Sequence, residues 1–291
     1  MVKNTMSNNN LFAKKDYLNK IITGDTLETM KRLPDSSVDF VITSPPYNLK
    51  NSTGNGMKDG RGGKWSKAAL IEGYSDYNDN MPQDLYDEWQ ANCLKEMFRI
   101  VSDDGAIFYN HKWRVQAGVI QDRHAIVKDL PVRQIIIWRR KGGINFNQGY
   151  FLPTYEVVYF IAKKKFKLAK GANSFGDIWE FTQEMNNIHP APFPESLVER
   201  IMLSNTGKTV LDPFMGSGTT GAVAKRLGRN YIGIEISKKY CDLAEHRISL
   251  VESGKFVTLE DAKLTGTLHK ENITKTYKKS VPRSSSKDLF D

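Results

Sequence analysis

Cysteine is nearly absent: Cys93 and Cys241 are the two in 291 residues. They stand far apart, with no Cys-x-x-Cys and no Cys/His cluster, which excludes a disulfide framework and a structural zinc site. Each is expected inside a helix as a small apolar side chain. Long hydrophobic runs are missing too. No stretch approaches the ~18 apolar residues that a membrane span needs. Residues Met1 to Asn10 are polar and mean hydropathy is -0.49. No membrane span or secretory signal is therefore expected, and the expected compartment is the cytoplasm. Negative charge is in deficit, with 33 Asp plus Glu against 42 Lys plus Arg, a net +9. That balance favours a polyanionic partner such as nucleic acid, although charge alone does not establish one.

Short runs rich in Ile, Val, Phe and Tyr read as strands: Lys20 to Thr23, Val38 to Thr43, Gly105 to Tyr109, Gln134 to Trp138, Tyr155 to Ala162, Lys208 to Asp212 and Tyr231 to Ile236. Helical spacing follows most of them, over Thr26 to Leu33, Gln83 to Val101, Glu195 to Leu203, Gly218 to Leu227 and Lys238 to Val251. Nearly continuous apolar strands alternating with helices predict a doubly wound, largely parallel α/β sheet, with ligands beyond the carboxyl ends of its strands. Three stretches break the alternation: a glycine-rich basic segment from Lys50 to Met81, a segment from Lys163 to Asn187 that opens Lys-Lys-Lys-Phe-Lys, and a basic, serine-containing tail from Thr265.

Two turns at strand ends carry chemistry. In Val210-Leu-Asp-Pro-Phe-Met-Gly-Ser-Gly-Thr-Thr-Gly221 a strand enters a glycine-rich turn and a helix, with Glu235 closing the next strand about 20 residues on. Glycines permit a tight turn and close backbone approach, and such a carboxylate accepts from a ribose diol, so the segment reads as a nucleoside-cofactor site. The string GSGTTG also satisfies the dinucleotide G-x-G-x-x-G pattern, which keeps a nicotinamide oxidoreductase in view; a turn that merely packs a helix on the sheet is the plain structural alternative. Gly207-Lys208-Thr209 is no P-loop, because position 202 is Met and the triplet precedes its strand.

The second turn is Ser44-Pro45-Pro46-Tyr47, ending the Val38 strand. Two prolines hold the backbone extended and remove two donors, leaving carbonyls to accept from something other than the chain. A fixed carbonyl, a hydroxyl and an aromatic face suit a planar substrate bearing an amino group. A rigid loop with an aromatic lid on the core is the alternative.

Together these motifs resemble the amino-group DNA methyltransferases, and their order, with the catalytic-type motif first and the cofactor motif last, resembles the circularly permuted beta class. His189-Pro-Ala-Pro-Phe-Pro-Glu-Ser-Leu197 resembles that family's further cofactor motif, and Gly24-Asp25 its adenine-contacting acidic position. The resemblance spans roughly Ile21 to Ile248. It implies a seven-stranded methyltransferase sheet in a single domain over residues 1–264, with insertions at 50–81 and 163–187 and a flexible basic tail over 265–291. It implies S-adenosylmethionine as cofactor and no metal, with Asp212, Phe214, Gly216, Gly218 and Thr219 lining the methionine and ribose side. Glu235 would take the ribose diol, Asp25 the adenine amino group, and Phe193 with His189 and the flanking prolines would close the pocket. Ser44, the Pro45 carbonyl, Pro46 and Tyr47 would hold the target base, cytosine in preference to adenine because serine precedes Pro-Pro-Tyr.

Double-stranded DNA is the implied substrate, the base being flipped out of the helix. A cognate restriction endonuclease and a homodimer are compatible with the resemblance, and a membrane partner is not. Lys58, Arg61, Lys64 and Trp65, the turn Arg139-Arg140-Lys141, and Lys163, Lys164 and Lys165 are the expected DNA contacts, each of which is alternatively a solvated charged face. A non-catalytic nucleic-acid-binding protein would share the basic surplus and leave Ser-Pro-Pro-Tyr unexplained.

Overall fold

Residues 11–48, 81–116, 118–140, 147–182 and 194–264 are described by the computed structural model. Their strands are β1 (Lys20–Thr23), β2 (Val38–Thr43), β3 (Val101–His111), β4 (Arg114–Gln116), β5 (Val119–Gln121), β6 (Val132–Arg139), β7 (Tyr155–Ala162), β8 (Ile178–Glu180), β9 (Thr209–Asp212) and β10 (Asn230–Glu235). The helices are α1 (Lys14–Tyr17), α2 (Thr26–Lys31), α3 (Gln83–Ile100), α4 (His124–Val127), α5 (Glu195–Leu203), α6 (Thr219–Arg226), α7 (Lys238–Ser249) and α8 (Leu259–Leu264).

One sheet runs β1-β10-β9-β2-β3-β7-β6-β8, and β4 pairs with β5 as a separate hairpin. Within the large sheet all neighbouring strands pair in parallel except at β7, which runs antiparallel to both β3 and β6. The last two strands in the chain, β9 and β10, enter between β1 and β2, so Phe40 and Val41 of β2 lie beside Val210 and Leu211 of β9. Motifs some 170 residues apart thus leave the sheet side by side, at the carboxyl edge where an open α/β sheet binds ligands.

Side-chain alternation divides the core. Phe40, Ile42, Phe108, Val158 and Phe160 face α5, α6 and α8 on one side. Val41, Ile107, Tyr109, Val157, Tyr159 and Ile161 face the layer of α2, α3 and α4 on the other. Helix α3 turns Tyr86, Gln90, Cys93, Leu94, Met97 and Ile100 inward at three- and four-residue intervals. Each large apolar side chain fully buried this way contributes roughly 1.5–3 kcal/mol. Cys93 and Cys241 are buried in α3 and α7, as their isolation implied.

The expected doubly wound, mostly parallel sheet is present with one strand more than the seven expected. The extra strand is β8, three residues long, pairing Ile178, Trp179 and Glu180 with Ile137, Trp138 and Arg139. It belongs to the segment read as an insertion over 163–187, whose described part instead fills one face of the core with Phe166, Ala169, Ala172, Trp179 and Phe181. The Arg200 guanidinium of α5 lies 5.1, 5.5 and 4.6 Å from the ring centres of Phe175, Trp179 and Phe181. The basic opening of this segment hid aromatic anchors of irregular spacing. Among the described residues no helix is long and apolar enough to cross a membrane.

Candidate active site

Strand β2 ends on Thr43, whose hydroxyl donates to Asp212 Oδ1 at 2.8 Å. Asp212 closes β9, and its carboxylate also accepts from the Phe214 amide (3.1 Å) and, on Oδ2, from the Thr220 hydroxyl (2.6 Å). At 2% exposure it therefore braces the glycine turn from within. Burial pushes its carboxyl up to about 6, against the pull of those three hydrogen bonds.

The other cofactor-side residues divide similarly. Glu235 Oε2 accepts from the Gly216 amide (2.8 Å) and Oε1 from the Ser237 amide (2.9 Å), which leaves its carboxylate half-buried at the mouth of the turn. Phe214, also half-buried, meets Trp89 of α3 edge to face at 5.8 Å. Gly218 has φ 81°, and a Cβ there would come within 2.8 Å of the Ala244 Cβ, so this glycine serves the close approach of α7. Thr219 is buried and accepts from Arg247 at 3.1 Å. Asp25 is exposed beyond β1, where Oδ1 accepts from the Glu28 amide and caps α2. His189 and Phe193 lie outside the described residues.

Around Ser44 the side chains bond to one another. The Ser44 hydroxyl and the Tyr47 hydroxyl are 2.6 Å apart, and Tyr47 donates to Glu156 Oε2 at 3.0 Å. Asn110, near the end of β3, donates through Nδ2 to the Tyr47 hydroxyl (2.8 Å), to Glu156 Oε2 (2.9 Å) and to Ser44 Oγ (3.3 Å). Arg140 Nη1 lies 3.3 Å from the other Glu156 oxygen. The Pro46 carbonyl accepts from the Tyr86 hydroxyl at 2.7 Å, whereas among the described residues no donor reaches the Pro45 carbonyl.

Beneath Tyr47 the buried His111 ring sits 4.9 Å away, with Nε2 2.8 Å from the Tyr86 hydroxyl and Nδ1 3.1 Å from the Lys112 carbonyl. Burial, reinforced by the Arg123 charge, holds its imidazole well below the ordinary range, so it is a neutral platform. Burial likewise lowers the Lys112 ammonium, with Arg140 adding repulsion. Asn48 follows in left-handed backbone (φ 55°), fully buried; its side chain donates to the Met81 carbonyl at 2.8 Å and accepts from the Met81 amide at 2.9 Å. Arg114 of the β4-β5 hairpin donates to the Asn48 carbonyl at 3.1 Å.

The expected DNA contacts separate by place. Arg139 and Arg140 stand at the carboxyl end of β6, on the same edge as Ser44, with Arg139 paired to Glu180 at 2.5 Å. Lys163, Lys164 and Lys165 follow β7, whose antiparallel course puts its last residue beside Ala106 near the start of β3. That is the opposite edge of the sheet, five residues or roughly 17 Å from the His111 level. There Lys163 stacks on Phe98 at 4.0 Å and Lys165 pairs with Asp103 at 3.2 Å. Lys58, Arg61, Lys64, Trp65 and Lys141 lie outside the described residues.

Asn110, Glu156, Thr43 and Thr220 were not singled out by sequence. A usable signal existed for one of them: Glu156 is the single charge in the apolar run Tyr155–Ala162, and a lone carboxylate on a buried strand calls for partners.

With this geometry in hand, comparison with known proteins is informative. The model of the DNA methylase family for N6 and N4 amino-methyltransferases matches residues 38–246, which include both turns and every strand between them. The chain belongs to that family. Among the relatives of this methylase, the type II methyltransferase M.BglII of Bacillus subtilis is 33% identical, over 81% of this chain and 70% of its own length. The type II methyltransferase M.HinfI of Haemophilus influenzae is 31% identical, over 80% and 69%. The PvuII DNA methyltransferase, described as cytosine-N4-specific, superposes with a TM-score of 0.62 at 19% identity, over 85% of this methylase and 90% of that chain. The Thermus thermophilus protein TTHA0409 in complex with S-adenosyl-L-methionine superposes with a TM-score of 0.58 at 24% identity, over 82% and 98%. At those identities the two structures speak for the shared α/β fold.

Proposed function

We propose that this methylase transfers the methyl group of S-adenosylmethionine to the exocyclic amino nitrogen of a base flipped out of double-stranded DNA, at cytosine N4 in preference to adenine N6. The observation that carries the reading is the hydrogen bond between Thr43 and Asp212, which ties the base-holding turn after β2 to the cofactor-type turn after β9. Two turns fixed against each other bring a donor and an acceptor of a group into one orientation, and that alignment supplies much of the acceleration of a displacement.

The residues fit the cofactor. Glu235 offers a partly exposed carboxylate, the acceptor a ribose diol requires, and Phe214 an aromatic edge beside it. Bound there, the cofactor would supply an electrophilic methyl group on a sulfonium centre. The chain's own residues would do the rest. An amino group conjugated to a base ring is a poor nucleophile, because its electron pair is delocalised. Hydrogen bonds from its N–H groups to Ser44 and the Pro45 carbonyl would favour a pyramidal nitrogen and stabilise the positive charge that develops there. Tyr47, backed by the neutral His111 ring, would stack on the base and offset the few kcal/mol that flipping costs. Arg139 and Arg140 on the same edge would meet phosphates.

Cytosine N4 is preferred because a serine stands before Pro-Pro-Tyr, as the family resemblance implies. The test is nucleoside mass spectrometry of DNA incubated with the purified protein and S-adenosylmethionine, joined to methylation sequencing for the recognition site. N4-methylcytosine is expected. N6-methyladenine alone would reverse the base preference, and unmodified DNA would overturn the reading as a whole.

A further inference from the structure

One buried polar atom beside Ser44 has no use in the free protein. Asn110 is 3% exposed, and its amide orientation is fixed: Nδ2 faces the Glu156 carboxylate and the Tyr47 hydroxyl, so the nitrogen must be on that side. Oδ1 is therefore directed away from Glu156. It is buried and accepts no hydrogen bond. A buried acceptor left without a donor costs roughly 1–3 kcal/mol, so a group that supplies one is favoured there.

The surroundings indicate what completes it. Ser44 Oγ is 3.3 Å from Nδ2 of the same amide, so Asn110 borders the base-holding turn. Glu156 grips the amide through one oxygen and is held by Arg140 through the other, at 5% exposure. This pair keeps Asn110 from rotating to satisfy its own oxygen. We propose that Asn110 contacts the target base directly, its Oδ1 accepting a hydrogen of the exocyclic amino group, with Glu156 as the residue that positions it. The inference rests on the proposed amino-methyltransferase reading and places Asn110 beside Ser44 and the Pro45 carbonyl as a further acceptor for the two amino hydrogens, one of which is then shared between two acceptors. It also separates amino-bearing bases from carbonyl-bearing ones: thymine or uracil would aim an oxygen at the Asn110 oxygen, and the repulsion would exclude them.

The test removes the amino group from the DNA. A duplex carrying the recognition site is prepared twice, with the normal target base and with its analogue lacking the exocyclic amine: pyrimidin-2-one for cytosine or purine for adenine. Dissociation constants are measured with S-adenosylhomocysteine present. Wild-type protein is expected to bind the normal duplex about tenfold more tightly, and Asn110→Ala to keep only part of that preference, because Ser44 and the Pro45 carbonyl remain. If Asn110→Ala keeps the wild-type preference, the proposal is wrong.

A second variant answers the case in which Asn110→Ala does not fold. In Asn110→Asp combined with Glu156→Gln the bond between the two side chains is reversed in polarity, and an oxygen still faces the base. Preference for the amino-bearing duplex should return in that double variant, and its absence would overturn the proposal. Methyl transfer by the wild-type protein to the normal duplex is the control for the underlying reading. Its loss would sink both, whereas transfer with unaltered discrimination in the variants would sink Asn110 alone.

Discussion

Two carboxylates at the carboxyl edge are buried for different ends. Asp212, between β9 and the glycine turn, gives both oxygens to Thr43, Thr220 and the Phe214 amide. Glu156, on β7, gives its oxygens to side chains that border the base-holding turn, and one of those side chains keeps an unmatched acceptor. The first half of the edge is complete without ligand. In the second, Asn110 Oδ1 is a buried acceptor with no donor among the described residues. A pocket used by one invariant cofactor gains from being preformed, while a pocket that must admit a base swung out of a helix gains from polar atoms satisfied only by the correct guest.

The largest expected effect attacks the complete half. Asp212→Ala strands three donors around a buried site and should destabilise the protein by about 3–5 kcal/mol, read by calorimetry. The Asn variant sharpens this with pH. The folded-state value near 6 lies above the ordinary 3.8, so the native state binds the proton more tightly than the unfolded chain. Wild-type stability relative to Asp212→Asn should therefore fall as pH rises from about 4 to about 6, by at most about 3 kcal/mol, and stay level above that. A difference independent of pH would mean the carboxylate is not buried as described.

Next comes Tyr47→Phe, which removes the hydroxyl shared by Ser44, Asn110 and Glu156. Turnover should drop roughly tenfold to a hundredfold while S-adenosylmethionine affinity stays within about twofold. Equal damage to both would erase the distinction between the halves. Glu235→Gln should do the reverse, weakening S-adenosylmethionine about tenfold in a titration and sparing turnover at saturation. The smallest effect is expected at the far edge of the sheet. Replacing Lys164 and Lys165 by Ala should leave the salt dependence of DNA affinity unchanged, where Arg139→Ala should reduce its slope by about one.

How far sequence reached depended on how local the signal was. β1, β2, β7 and α5 coincide with the runs read for them, because each is an uninterrupted apolar strand or a helix with regular spacing. β8 escaped because three residues forming the edge of the sheet leave no periodicity to see. In the site, Ser44, Tyr47 and Glu235 were legible from turns at strand ends. Asn110 and Glu156 were not, since their importance arises from β3 and β7 lying beside each other, a non-local fact. The bonds that Thr43 and Thr220 make to Asp212 were beyond sequence for a related reason. Strand-end position indicates the edge on which a carboxylate lies, and its neighbours decide whether it faces outward.

The clasp between Asn48 and Met81 has a consequence for how such proteins diversify. Asn48, five residues after β2, and Met81, two residues before α3, hold each other, so the two positions that flank residues 49–80 are fixed together. Changing the length of a segment closed that way alters its closure entropy slowly, by about 0.6 kcal/mol per doubling. Exchanging residues 49–80 for a stretch of another length should therefore cost the protein little stability while Asn48 and Met81 keep their bonds.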